Sequence, residues 1–158
     1  LKTAALIAGS LKIGAILGGA NEKDSNNLYL FGKKIGIAFQ LQDDLLDVFG
    51  DSKKFGKQIG GDIIENKKTF LLLKAFELAD VKTRKKLKEL LSSKKITSAQ
   101  KVDGVKKIFE KLRVKEETEK VIEHYFSLAK RKFSEINANK NKKQKLLEFV
   151  SGLMKRDA

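Results

Sequence analysis

Not one of the 158 residues is proline, and through most of the chain apolar residues recur three, four or seven apart. Leu28, Phe31, Ile35, Phe39 and Leu46 show that spacing most clearly. It is the period at which side chains line one face of an α-helix. Proline is the strongest helix breaker, so its absence permits long helices without requiring them. No stretch alternates apolar and polar residues long enough for a half-buried strand, and no segment repeats. The reading is an all-α fold.

The first helix is expected from Leu1 to about residue 18, as a buried core helix stopped by Gly18-Gly19-Ala20. A polar loop, NEKDSNN, should follow, with Ser25 or Asn26 capping a second helix from about Asn27 to Phe49. Glycines punctuate residues 50–61, where main chain can approach a ligand closely. Asp62 or Asn66 then leads into FLLLKAFELA. Three or four amphipathic helices are expected, at about 82–92, 98–112, 115–136 and 142–155, with Ser98, Asp103 and Glu116 as capping or first-turn residues.

Composition narrows the function classes. A hydrophobic fraction of 41% against 34% charged residues describes a folded, strongly solvated protein. The absence of cysteine excludes disulfides and thiolate metal sites, and fits a reducing, cytoplasmic setting. The net charge of +14 favours polyanionic partners: nucleic acid, an anionic membrane or phosphorylated small molecules. Most of the excess follows Lys82, in KTRKKLK and NKNKKQK, which suit the wet faces of surface helices. Without an arginine-rich stripe or interleaved aromatics, nucleic acid is not expected as a partner. The most apolar stretch, AALIAGSLKIGAILGGA, is interrupted by Lys12, too short to span a bilayer, and lacks the basic leader of a signal peptide.

The chemistry concentrates in the second helix, in FQLQDDLLDVFG. At about 100° per residue Gln40, Asp43, Asp44 and Asp47 fall in one sector, and Asp43 and Asp47 stack one turn apart. Oxygen ligands without a nearby His or Cys suit a hard cation, Mg²⁺ rather than Zn²⁺. An exposed acidic helix face is the alternative, weakened by the apolar Leu45, Leu46, Val48 and Phe49 around the acids. Lys53, Lys54 and Lys57 in the glycine-rich loop, then Lys67 and Lys68, complete a set suited to a diphosphate. Metal bridges its oxygens and ammonium groups neutralise the rest. His124, beside Tyr125 and Phe126, reads as a packing or surface residue.

The pair FQLQDDLLDVFGD and GKQIGGDIIENKKT closely resembles the second aspartate-rich motif of the trans-isoprenyl diphosphate synthases. The opening LKTAAL resembles their Lys-Thr motif, GAILGGA their small-residue helix, and LMKR their basic tail. The resemblance implies the C-terminal helices of the all-α isoprenoid synthase fold, residues 1–80 carrying the motifs and 81–158 forming peripheral amphipathic helices. It implies a Mg²⁺-dependent prenyltransferase of isoprenoid biosynthesis, condensing an allylic diphosphate with isopentenyl diphosphate. By match, Asp43, Asp44 and Asp47 hold metal, while Lys2, Lys57 and Lys67 steady the allylic diphosphate or its metal shell. Thr3 and Gln40 set oxygen dipoles near the developing cation, and Phe39 lines the hydrocarbon side. Lys2, Thr3 and Gln40 are thus the catalytic candidates, and Lys155 and Arg156 could reach the second diphosphate.

The family carries two aspartate-rich motifs facing each other, and this sequence has one. The expectation is therefore the C-terminal part of a longer synthase, with little or no turnover from these residues alone and a homodimer as the full-length protein. A terpene cyclase relative and a non-catalytic diphosphate-binding or regulatory subunit are the alternatives. The GK and GGD…NKKT segments favour chain elongation over cyclisation.

Overall fold

The computed structural model describes residues 2–50 and 59–154, with side chains through residue 152. These contain α1 (Lys2–Leu17), α2 (Glu22–Phe49), α3 (Gly61–Ile64), α4 (Phe70–Leu78), α5 (Val81–Ser92), α6 (Ser98–Lys111), α7 (Val114–Ser134) and α8 (Lys140–Met154). Among the described residues there is no strand, as the helical periodicity predicts. The helices gather into two compact units. One comprises residues 1–42 and 120–157, the other essentially 43–119. The chain passes between them inside helices, within α2 and again within α7.

In the first unit, Phe31 and Ile35 of α2 pack with Ala129 and Phe133 of α7, Ile136 and Val150. The Phe31 and Phe133 rings lie 4.7 Å apart, a tilted contact typical of buried aromatic pairs. Leu28, Phe31 and Ile35, which share the predicted stripe on the second helix, meet here. Buried Asp24 is satisfied by the amide of Asn21 at 3.0 Å and the backbone N–H of Asn137 at 3.0 Å.

Two helix starts differ from expectation. α2 begins at Glu22, because Asn21 accepts the N–H of Asp24 at 2.8 Å and so caps the helix five residues early. Glu22 and Asp24 then favour the positive end of the helix dipole. Ser25 and Asn26 lie inside the helix rather than capping it. α4 is capped by Thr69, whose side chain accepts from Leu72 N–H, and not by Asp62 or Asn66. Asn66 instead ends α3 in a left-handed conformation, φ 54°, which asparagine tolerates. Thr97, in a capping box with Gln100, caps α6, and Ser98 is its first residue as expected. Asp103 sits mid-helix, paired with Lys107 at 2.7 Å.

α1 is not the enclosed core helix that its apolarity suggests. Ala4, Ala8 and Ala15 are buried, yet Leu6 is 72% and Leu17 83% exposed. The buried side is a stripe of small residues set against α2. A Cβ built on Gly32 would stand 2.9 Å from Ala8 Cα, and one on Gly36 2.9 Å from Ala4 Cβ. Only glycine allows the two backbones to approach this closely. Gly19, at φ 78° with the Ala20 N–H returning to Ala15 O, stops α1 where expected.

In the second unit α6 packs against α3, α4 and α5. Its buried Val105, Ile108 and Phe109 share that interior with Leu71, Leu72, Ala75 and Leu87.

Candidate active site

The small-residue seam of the first unit places its polar candidates. Thr3 precedes Ala4, and Gln40 lies one turn beyond Gly36, so the close crossing brings their side chains together. Thr3 Oγ1 donates to Gln40 Oε1 at 3.3 Å. Lys2 is exposed beside them in the first turn of α1, and Phe39 is partly buried on α2. The pairing of Thr3 with Gln40 holds two oxygen-bearing groups against each other.

The aspartates belong to the second unit, on the last turns of α2, where burial divides them. Asp43 is exposed and Asp47 part-exposed, one turn apart on the same face. Asp44 is only 9% exposed, its side chain turned about 100° from Asp43.

Asp47 is tied to the chain that follows. The N–H of Gly60 donates to Asp47 O at 2.6 Å, and the N–H of Asp62 donates to Asp47 Oδ2 at 3.1 Å. Gly60 makes this possible at φ 79°, where a side chain would also collide with Val102. Burial raises the Asp47 carboxyl above its usual value, and the nearby Asp62 carboxylate raises it further. The backbone N–H groups of Asp62 and Gly61 and the Lys67 charge pull it back. At the far end of α3, buried Lys101 donates to Ile64 O at 3.0 Å. Lys67 closes the cluster, its Nζ 2.6 Å from Asp62 and 3.2 Å from Glu65. Those two carboxylates hold its ammonium strongly in the charged form.

Lys67 therefore reaches Asp47 through Asp62. That linking role of Asp62 was not apparent from sequence, where it read as a helix cap. The adjoining Gly60-Gly61 pair was the available signal, since a double glycine before an acid marks main chain brought close to another group. Lys57, Lys53 and Lys54, with Lys155 and Arg156, lie outside the described residues.

The donor set fits a hard divalent cation in part. Carboxylate oxygens at Asp43 and Asp47 are the ligand type Mg²⁺ takes, and it commonly keeps water and phosphate oxygens in its remaining positions. Among the described residues no three acidic, histidine or cysteine side chains converge to hold a metal.

The polyprenyl synthetase family model matches residues 1–112. The chain belongs to the polyprenyl synthetase family. That match extends the likeness beyond residue 80, where sequence reading found only helical character. A short chain isoprenyl diphosphate synthase of Methanocaldococcus jannaschii is 43% identical over 95 residues, 60% of this chain and 29% of that protein. A geranylgeranyl pyrophosphate synthase structure superposes with a TM-score of 0.88 at 38% identity, covering 99% of this chain and 49% of the other. The geranylgeranyl pyrophosphate synthase of Corynebacterium glutamicum, solved with isoprenyl diphosphate and magnesium, gives a TM-score of 0.84 at 28% identity. It covers 96% of this chain and 43% of that one. The chain thus spans about half the length of these solved relatives and less than a third of the curated one. The all-α fold is the fold of these neighbours.

Proposed function

We propose that these residues form one side of a prenyltransferase site that joins an allylic diphosphate to isopentenyl diphosphate. The observation that carries this reading is the pair Asp43 and Asp47, one turn apart near the end of α2, with the Gly60-Asp62-Lys67 cluster returned against Asp47. The family match and the relative solved with isoprenyl diphosphate and magnesium support it.

Asp43, Asp44 and Asp47 are the proposed Mg²⁺ ligands, Asp44 from the more buried position. When bound, Mg²⁺ would neutralise the diphosphate and improve it as a leaving group. Lys2 and Lys57 would bind its oxygens directly, and Lys67 would act through Asp62. In the reaction the allylic C–O bond breaks and diphosphate departs with the electron pair. The isopentenyl double bond then forms the new C–C bond, and a proton lost to the released diphosphate restores the alkene. Thr3 and Gln40 set their oxygen dipoles toward the developing positive charge, with Phe39 on the hydrocarbon side.

A one-sided shell binds without turning over, so isolated residues 1–158 are expected to be catalytically silent. For the full-length protein we propose a homodimer in the cytoplasm. Among the described residues no helix is long and apolar enough to cross a membrane. Titration calorimetry with inorganic diphosphate or a bisphosphonate tests the site. Binding should require Mg²⁺ and weaken at least roughly tenfold in Asp43→Ala, the scale of a lost charge-assisted contact. Binding indifferent to Mg²⁺ and to that substitution would falsify the assignment.

A further inference from the structure

Half of the chain's positive excess lies in residues 66–98, where ten basic residues face three acidic ones in a protein of net +14. The α4–α5 hairpin fills most of that stretch. Along one side of it runs a groove of about 530 Å³, floored by Leu72, Leu73, Phe76 and Leu91 and rimmed by Lys68 and Lys88. Leu73 is 57% exposed, and Val81, at the turn of the hairpin, is 87% exposed. Thr83 and Leu87 of α5 are buried in the unit's interior, so its lysines are left on the outer side. Lys68, Lys85, Lys86 and Lys88 are exposed, and none forms an ion pair among the described residues.

An apolar floor inside a cationic rim restricts what can sit there. Nucleic acid would satisfy the lysines and leave the aliphatic floor unused, since base recognition needs stacking surfaces or hydrogen bonds. A second copy would set like charge against like charge. A bilayer with acidic headgroups answers both features, because lysine stems lie along apolar surface while their ammonium groups meet phosphate.

We propose that the α4–α5 hairpin docks on an anionic phospholipid bilayer. Leu73 and Val81 enter the boundary between headgroups and acyl chains, and Lys68, Lys85 and Lys88 pair with lipid phosphates. The contact is peripheral, and it is independent of the metal and diphosphate reading of the aspartates.

The test is co-sedimentation of the whole chain with phosphatidylcholine vesicles and with mixed phosphatidylcholine–phosphatidylglycerol vesicles. Binding is expected to the mixed vesicles only. The pair Lys68→Gln/Lys88→Gln should weaken it roughly 25-fold, about fivefold per lysine near a charged surface. Leu73→Ser should weaken it several-fold with the net charge unchanged. The pair Lys142→Gln/Lys145→Gln, which removes two exposed lysines from α8, should cost far less. Far-UV circular dichroism checks that each variant stays helical. The proposal is overturned if the wild type ignores the mixed vesicles, or if the α8 pair weakens binding as much as the groove pair, leaving only net charge. An unaffected Leu73→Ser would equally remove the apolar half of the contact. If Leu73→Ser instead dissolves a dimer on gel filtration, the groove belongs to a second copy.

Discussion

Asp47 concentrates the conflict between stability and chemistry. A carboxylate that burial holds above its usual pKa binds its proton more tightly in the folded chain than in the unfolded one. Its favourable contribution is therefore complete below the ordinary aspartate range and is lost as pH rises through the raised value. In EDTA at neutral pH, Asp47→Asn is expected to raise Tm, since the amide oxygen can still accept the Asp62 N–H. That advantage should vanish in acid below the aspartate range. A neutral-pH Tm equal to or below wild type would contradict the burial argument. The same variant should lose Mg²⁺-dependent diphosphate binding, a gain in stability set against a loss of function. The acids were legible in the sequence as a motif. Their division into exposed Asp43, buried Asp44 and tethered Asp47 was not, because it depends on residues 60–62 returning against α2.

Among the helices, the crossing of α1 on α2 has the sharpest steric requirement. Gly36→Ala forces a methyl group onto the backbone of Ala4, and overpacking of this kind costs about 1–3 kcal/mol. Chemical denaturation should show that loss, while Gly14→Ala, with open space around it, should be neutral or mildly stabilising through helix propensity. Moving the two backbones apart also breaks the Thr3–Gln40 hydrogen bond. Separately, Thr97→Ala removes the capping box of α6 and is expected to cost about 1 kcal/mol in the same measurement. Helix interiors were predictable from periodicity, and Ser98 and Glu116 stand in first turns as expected, but most of the caps were not. Asn21, Thr69 and Thr97 each outcompeted a neighbouring polar residue for the cap, a choice settled by which side chain the incoming chain direction aims at the free N–H groups.

For the whole molecule, residues 1–158 incubated with an allylic diphosphate, isopentenyl diphosphate and saturating Mg²⁺ are expected to release no product above background, while still binding diphosphate. Radiolabelled isopentenyl diphosphate and extraction of prenyl products would detect it, and clear turnover would mean that one set of aspartates suffices. The sequence by itself determined the all-α class, the family, and which residues are candidates for the chemistry. Period, composition and a motif are local properties, and each survives in a linear string. Tertiary structure decided that α1 turns Leu6 and Leu17 outward, that Asp62 links Asp47 to Lys67, and that an apolar groove opens beneath lysines of the α4–α5 hairpin. Those outcomes depend on which surfaces are covered and which main-chain groups return to each other. Only packing in three dimensions sets them.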